Sequence, residues 1–337
     1  MMKRFFFFDN AKFVLITSVI LGHLLENSGL NDRVSMGIFD TVFMYAMPAF
    51  VFISGIFTPP RQYNDYKTYK KFLLSELGLF ETLVLFTLIM KLPILLISGM
   101  PIQSFLSPGY TLWYLLALIW WRLLILLIPY NVISHKKTLL ALSIMLSFAS
   151  GFLTWCNSLA LQRTLYFLPF FLAGVCMSEK KEQFVTKIEK IPAFYSVLIL
   201  VLVVISCIYF SYNLAPFSSG NTPYANRNMS LISAILWTPL YVMLCVIVSI
   251  SVLSLIPNRE TIISEFGSKS LVMYVYHAVI LLILKFVCQH IGLTINFYIV
   301  IIEYVAVVFI LLLITKLEIA NTLTAPLTRM LKNRNNN

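Results

Sequence analysis

Ten apolar runs, each of about the length that crosses the hydrocarbon layer of a bilayer, confine this chain to one class of fold. They fall at 11–28, 39–58, 72–97, 111–128, 138–156, 164–178, 194–212, 231–256, 271–291 and 295–315, the sixth being short and holding Pro169. In lipid, backbone groups must bond within their own segment, so the runs are expected to be helices of an all-α, polytopic integral membrane protein with about ten transmembrane helices. A soluble fold does not fit the composition: 59% of the 337 residues are hydrophobic and 12% charged, against roughly 25% charged in globular chains.

The net charge of +11 raises a nucleic-acid reading, which the placement of the charges opposes. With both termini cytoplasmic, 19 of the 25 Lys and Arg fall on the inside, which is the positive-inside pattern of a membrane protein. No nucleic-acid partner is expected. The first run has no small-residue cleavage site after it and is expected to stay in the mature protein. The five cysteines (156, 176, 207, 245, 288) lie in or beside spans without a C-x-x-C pair, so neither a disulfide framework nor a metal site is expected. Residues 1–330 read as one membrane domain and the Asn-rich 331–337 as a disordered tail.

Ionisable side chains at membrane depth cost roughly 3 kcal/mol each, so they pair, line a cavity or do chemistry. Lys12 and His23 are eleven residues apart in the first run, about three turns and roughly 16 Å, and share a face. Asp9, Glu26 and Asn27 fall within about 50° of that face, making one polar stripe. A histidine with a carboxylate at i+3 has the parts of a general base, because the carboxylate fixes the tautomer and stabilises the imidazolium. Lys12 serves equally as a positive-inside anchor or as a site for an anionic ligand. Glu81, about 13 Å into the third run, and Arg122, about 9 Å into the fourth, are matched in depth, as are Lys285 and Glu303; each pair reads equally as a salt bridge or as functional, and Glu81, the deepest, leans to function. His277 lies about 9 Å into the ninth run, with Tyr274 one turn back as a hydrogen-bond partner.

Several stretches resemble the membrane-bound acyltransferase 3 family. "RFFFFDNAKFVLITSVILGH" is similar to its opening span, in which a basic residue, ten positions and a His recur as Lys12 and His23. "MYAMPAFVFISGIF" (44–57), "LWYLLALIWWRLL" (112–124), "RTLYFLPFFLAGVCM" (163–177) and "FGSKSLVMYVYHAVIL" (266–281) resemble later spans, in family order. The resemblance implies an enzyme of the polysaccharide O-acetyltransferase type in the bacterial cytoplasmic membrane. It would carry acetyl from cytosolic acetyl-CoA to a hydroxyl of an extracytoplasmic glycan such as capsule or exopolysaccharide. With no hydrolase-like extension in the 337 residues, a standalone transferase, or one aided by a separate protein, is implied. At the mouth of the third span, where the family has Arg-x-x-Arg, this chain offers Lys67, Lys70 and Lys71.

On that reading His23 and Glu26 are the base, Arg163 holds the acceptor or the oxyanion, and Lys12, Lys67, Lys70, Lys71 and His277 meet the donor. Ser54, Trp113 and Tyr114 enter through the resemblance, although helix packing accounts for Ser54 and Trp113. Direct transfer and a covalent relay through Tyr114 or Ser54 are both open. A route wet enough for a thioester from one side and an alcohol from the other must meet at His23. The competing class is a transporter of a glycan or lipid-linked precursor, for which the Lys12–His23 stripe has no evident use.

Overall fold

The computed structural model describes residues 5–60, 66–98, 111–153, 158–218, 220–227 and 229–324. The expected tail, Cys156 and the side chain of Lys67 lie outside what it describes. Its helices are α1 (Phe6–Ser28), α2 (Arg33–Ile56), α3 (Tyr66–Ser98), α4 (Trp113–Leu127), α5 (Tyr130–Ser134), α6 (Lys136–Ser150), α7 (Leu161–Met177), α8 (Lys181–Glu189), α9 (Ala193–Ser218), α10 (Leu231–Ser254), α11 (Ile262–Ser268), α12 (Ser270–His290), α13 (Phe297–Lys316) and α14 (Glu318–Leu323). No strand occurs among the described residues.

Among the described residues, seven helices are long and apolar enough to cross a membrane: α1, α2, α3, α9, α10, α12 and α13. The other three expected spans fold as α4, α6 and α7, of 15, 15 and 17 residues. At 1.5 Å per residue these reach about 22–26 Å, short of the roughly 30 Å hydrocarbon layer. Residues 212–218, which follow the seventh apolar run and are rich in polar and turn residues, continue α9 to Ser218 past a kink at Phe210. Beyond it Tyr224 is buried, its hydroxyl donating to the Phe148 carbonyl at 3.1 Å and its N–H to the Gly151 carbonyl at 2.7 Å.

Local chemistry sets the helix ends. Asp32 caps α2 by accepting from the N–H groups of Val34 and Ser35 and from the Ser35 hydroxyl. Those bonds, the Ser35 hydroxyl foremost, hold its carboxyl below the usual range. α1 stops at Gly29, whose φ of 69° suits glycine.

Which helices lie centrally follows from what they carry. α9 and α13 carry no polar stripe, Glu303 being the one acidic residue of α13, and only 11% and 17% of their spans are buried, whereas 72% of α1 and 67% of α2 are. Helices with a polar stripe are enclosed; those without one face outward. α2 packs on α1, α7, α9 and α10, and α1 also meets α11, α12 and α13. At the α2–α7 crossing a Cβ on Gly55 would stand 2.0 Å from the Phe171 carbonyl oxygen, and one on Gly174 2.0 Å from that of Phe52. Two glycines therefore let these backbones touch.

Asn10 fastens α1 to the segment before α11. Its Nδ2 donates to the carbonyls of Pro257 (2.8 Å) and Arg259 (3.0 Å), and its Oδ1 accepts from Thr261 (2.7 Å) and Ser264 (2.6 Å). Fully buried, it uses two donors and two acceptor positions. Lys12 and the rest of the stripe are thereby held in register against α11 and α12.

Candidate active site

Two cavities flank a buried pair of imidazoles. The end of the bundle that holds the start of α1 is called lower here. The lower cavity, about 230 Å³, is lined by Lys12 of α1, Ser54 and Phe57 of α2, Tyr114 and Arg122 of α4, and Tyr274 of α12. The upper cavity, also about 230 Å³, lies among the last turns of α1 and α12 and the start of α13, with Asn27, Lys285 and Glu303 in its wall.

The lower cavity is cationic at its mouth. Lys12 Nζ stands 3.4 Å from Asp9 Oδ1 and 4.9 Å from the centre of the Phe57 ring, which Lys181 of α8 also approaches at 6.0 Å. Arg122 Nε lies 2.7 Å from Glu76 Oε1, an ion pair by distance whose angles miss hydrogen-bond geometry, and its Nη2 donates to Ser75 Oγ at 3.2 Å. The ion pair of Arg122 is thus with Glu76 rather than Glu81. Five residues on, Glu81 is turned about 140° around the axis of α3.

Hydroxyl groups close the inner end of this cavity. Ser54 Oγ donates to the Phe50 carbonyl at 2.9 Å, so in the 2.5 Å contact with Tyr114 the phenol is the donor. Tyr274 donates to the Thr111 carbonyl, not to His277, which corrects the sequence reading of that histidine. The tyrosine rings are 5.4 Å apart.

Above them sit the imidazoles. His23 Nδ1 lies 3.1 Å from Glu26 Oε2. An ionised carboxylate only accepts, so the proton belongs on Nδ1, leaving the lone pair of the ring on Nε2. The His23 ring stacks on that of His277 at 6.0 Å and 18°, with Phe43 edge-on at 5.3 Å. His277 is fully buried and, among the described residues, neither ring nitrogen has a hydrogen-bond partner; the carbonyls of Met273 and Tyr274 come near without meeting hydrogen-bond geometry. On α12, His277 lies between Tyr274 in the lower cavity wall and Leu281 in the upper one, a stretch of about 10 Å. On α1, His23 lies between Lys12 and Leu24 of the same two walls. His23 and His277 line neither cavity, and an aromatic plug separates the two in this conformation.

A family model described as an acyltransferase domain matches residues 5–316. The chain belongs to the acyltransferase 3 family. No curated protein and no solved structure matches it significantly. The acyltransferase brings Lys12, Ser54, Tyr114 and Arg122 to one cavity, with Asp9 beside Lys12, and His23, Glu26 and His277 to one cluster. Trp113 and Arg163 form a separate pair, the guanidinium 4.9 Å over the indole. Lys70 and Lys71 are exposed on α3 and do not line the lower cavity. Lys285 and Glu303 share the upper cavity, yet no ion pair within 4.0 Å joins them among the described residues. The four described cysteines are free and buried.

Sequence reasoning missed Glu76, Lys181, Phe57 and Asn10. Glu76 carried the same signal as Glu81, a carboxylate in an apolar run. Lys181 lies in a stretch of mixed charge that carries no motif and forms α8, with Val185 and Ile188 buried.

Proposed function

We propose that this membrane acyltransferase moves an acetyl group from acetyl-CoA to a hydroxyl of a cell-surface polysaccharide, capsule or exopolysaccharide, across the bacterial cytoplasmic membrane. In this reading the chain crosses about ten times with both termini cytoplasmic, α4, α6 and α7 being among the crossings, so the lower cavity faces the cytosol. The observation that carries it is the arrangement along α1 and α12: a cation-rimmed cavity, then the orphan His277, then His23 held by Glu26.

Phosphates of the donor bind Lys12, Lys181 and Arg122 by charge-assisted bonds, with Lys67, Lys70 and Lys71 of α3 attracting it to the mouth. Tyr274 must swing aside for the thioester to rise one turn to His277, whose ring N–H then bonds the carbonyl oxygen where negative charge develops. His23 Nε2 takes the proton of the acceptor hydroxyl while that oxygen attacks the thioester carbon. The C–S bond breaks and the proton passes to the departing thiolate. Arg163 helps hold the glycan from the α7 side. Because Ser54 and Tyr114 already spend their protons on each other and on Phe50, direct transfer is favoured over a relay through either.

The test replaces His23 by Ala and Glu26 by Gln and follows radiolabelled acetyl into surface polysaccharide at equal protein abundance. His23→Ala should lose about 10²–10⁴-fold, the range for a positioned acid–base group. Activity within twofold of the parent would remove His23 from the chemistry.

A further inference from the structure

The upper cavity is not used by the chemistry described above, although it adjoins the base. Asn27 is one turn beyond His23 on α1, a spacing that puts their Cβ atoms about 5–6 Å apart. Its polar wall is made by Asn27, Lys285, Gln289 and Glu303, and its apolar wall includes Leu281 and Leu284. Among the described residues Asn27, Lys285 and Gln289 make no hydrogen bond or ion pair, and Glu303 has only the Cys288 thiol, at 3.5 Å. Lys285 and Gln289 are exposed and Asn27 and Glu303 half-buried, so these groups are accessible to a ligand that both donates and accepts.

The volume excludes much else. At about 230 Å³ the cavity falls below the roughly 300–1,000 Å³ of sites for drug-sized ligands, so it takes one ring and not an oligosaccharide. A cation and an anion share the wall without pairing, so a ligand bearing net negative charge gains from Lys285 what it loses to Glu303. A sugar hydroxyl accepts from an ammonium and donates to a carboxylate, and the C–H face of a pyranose covers leucine.

We infer that this cavity is the acceptor subsite and holds one uncharged pyranose ring of the glycan, with Lys285 and Glu303 bonding its hydroxyls so that a neighbouring hydroxyl meets His23. The inference rests on the transferase reading for its purpose, but binding can be read without transfer. Leu293, 43% exposed on the rim, is changed to Cys in the purified full-length protein, and methanethiosulfonate modification at position 293 is timed by peptide mass. The probes are the methyl glycosides of glucose, galactose and N-acetylglucosamine, with methyl glucuronide as the charged control.

At least one neutral glycoside should slow modification several-fold, and the glucuronide should not. Adding Lys285→Met or Glu303→Gln should abolish that protection, and Glu303→Gln alone should let the glucuronide protect, because the carboxylate that repelled it is gone. Lys285 is exposed and Glu303 half-buried, so neither change opens the core; Asn27→Leu supplies a third, uncharged variant. No protection by any neutral glycoside, or protection unaltered in all three variants, overturns the assignment. Protection that persists in a protein unable to transfer acetyl would instead sink the transferase reading and leave the subsite standing.

Discussion

Replacing His277 by Leu separates a reacting imidazole from a packing one, because the structure gives this side chain no bond to lose. Both ring nitrogens are buried without partners, and a buried unsatisfied polar group costs about 1–3 kcal/mol. Leucine is close to histidine in volume and carries no polar atom, so the folded state recovers part of that cost. Against it stands the loss of the stack on His23, of about 0.5–1.5 kcal/mol for ring pairs. The balance runs from a loss of about 0.5 to a gain of about 2.5 kcal/mol, taking the two ranges together. Catalysis should move the opposite way. If His277 bonds the thioester carbonyl, its loss should cost about 10²–10³-fold in turnover, as for one oxyanion donor. The assay pairs an apparent melting temperature in detergent with acceptor-dependent release of CoA from acetyl-CoA. A variant that melts at or above the parent and is inactive fits the reasoning. A variant that melts clearly lower would mean that the ring is held by the fold, and one that is fully active would mean that it is a bystander.

Asn10→Ala removes four hydrogen bonds and strands the Pro257 and Arg259 carbonyls, so it should destabilise by about 2–6 kcal/mol at about 0.5–1.5 kcal/mol per bond. Thermal unfolding should report it, together with faster proteolysis at 257–261, and an unshifted melting curve would refute the lock. Asp32→Ala should cost about 1 kcal/mol at neutral pH, as for other N-caps. The folded carboxyl is depressed, so the stabilisation of the parent is full above the ordinary pKa of 3.8 and is lost as pH falls through the lower folded value. Parent and variant should therefore converge in acid, and a gap that persists there would show the cap is not electrostatic.

Residue type and spacing alone made much of this legible. Lys12, His23 and Glu26 share a face because one helix has 3.6 residues per turn, so the polar stripe and the His23–Glu26 contact needed only α1 to form. Contacts between helices were another matter. Glu76 and Glu81 are equivalent in sequence, and only the rotation of α3 against α4 decided which carboxylate meets Arg122. Likewise Lys285 and Glu303 are matched in depth but reach a common cavity rather than each other.

Apolar length and the positive-inside charge pattern fixed the helical membrane class, because continuous apolar runs of about 20 residues suit spanning helices and not the short, alternating strands of a barrel, the other arrangement that satisfies the backbone in lipid. Packing alone decided that His277 would stack on His23 with its nitrogens unmet, and that Lys12 and Arg122 would line one cavity with Lys181 approaching Phe57 in its wall. Those residues lie far apart along the chain, and their meeting depends on how α1, α2, α4, α8 and α12 rotate and cross, which the period of a single helix does not encode.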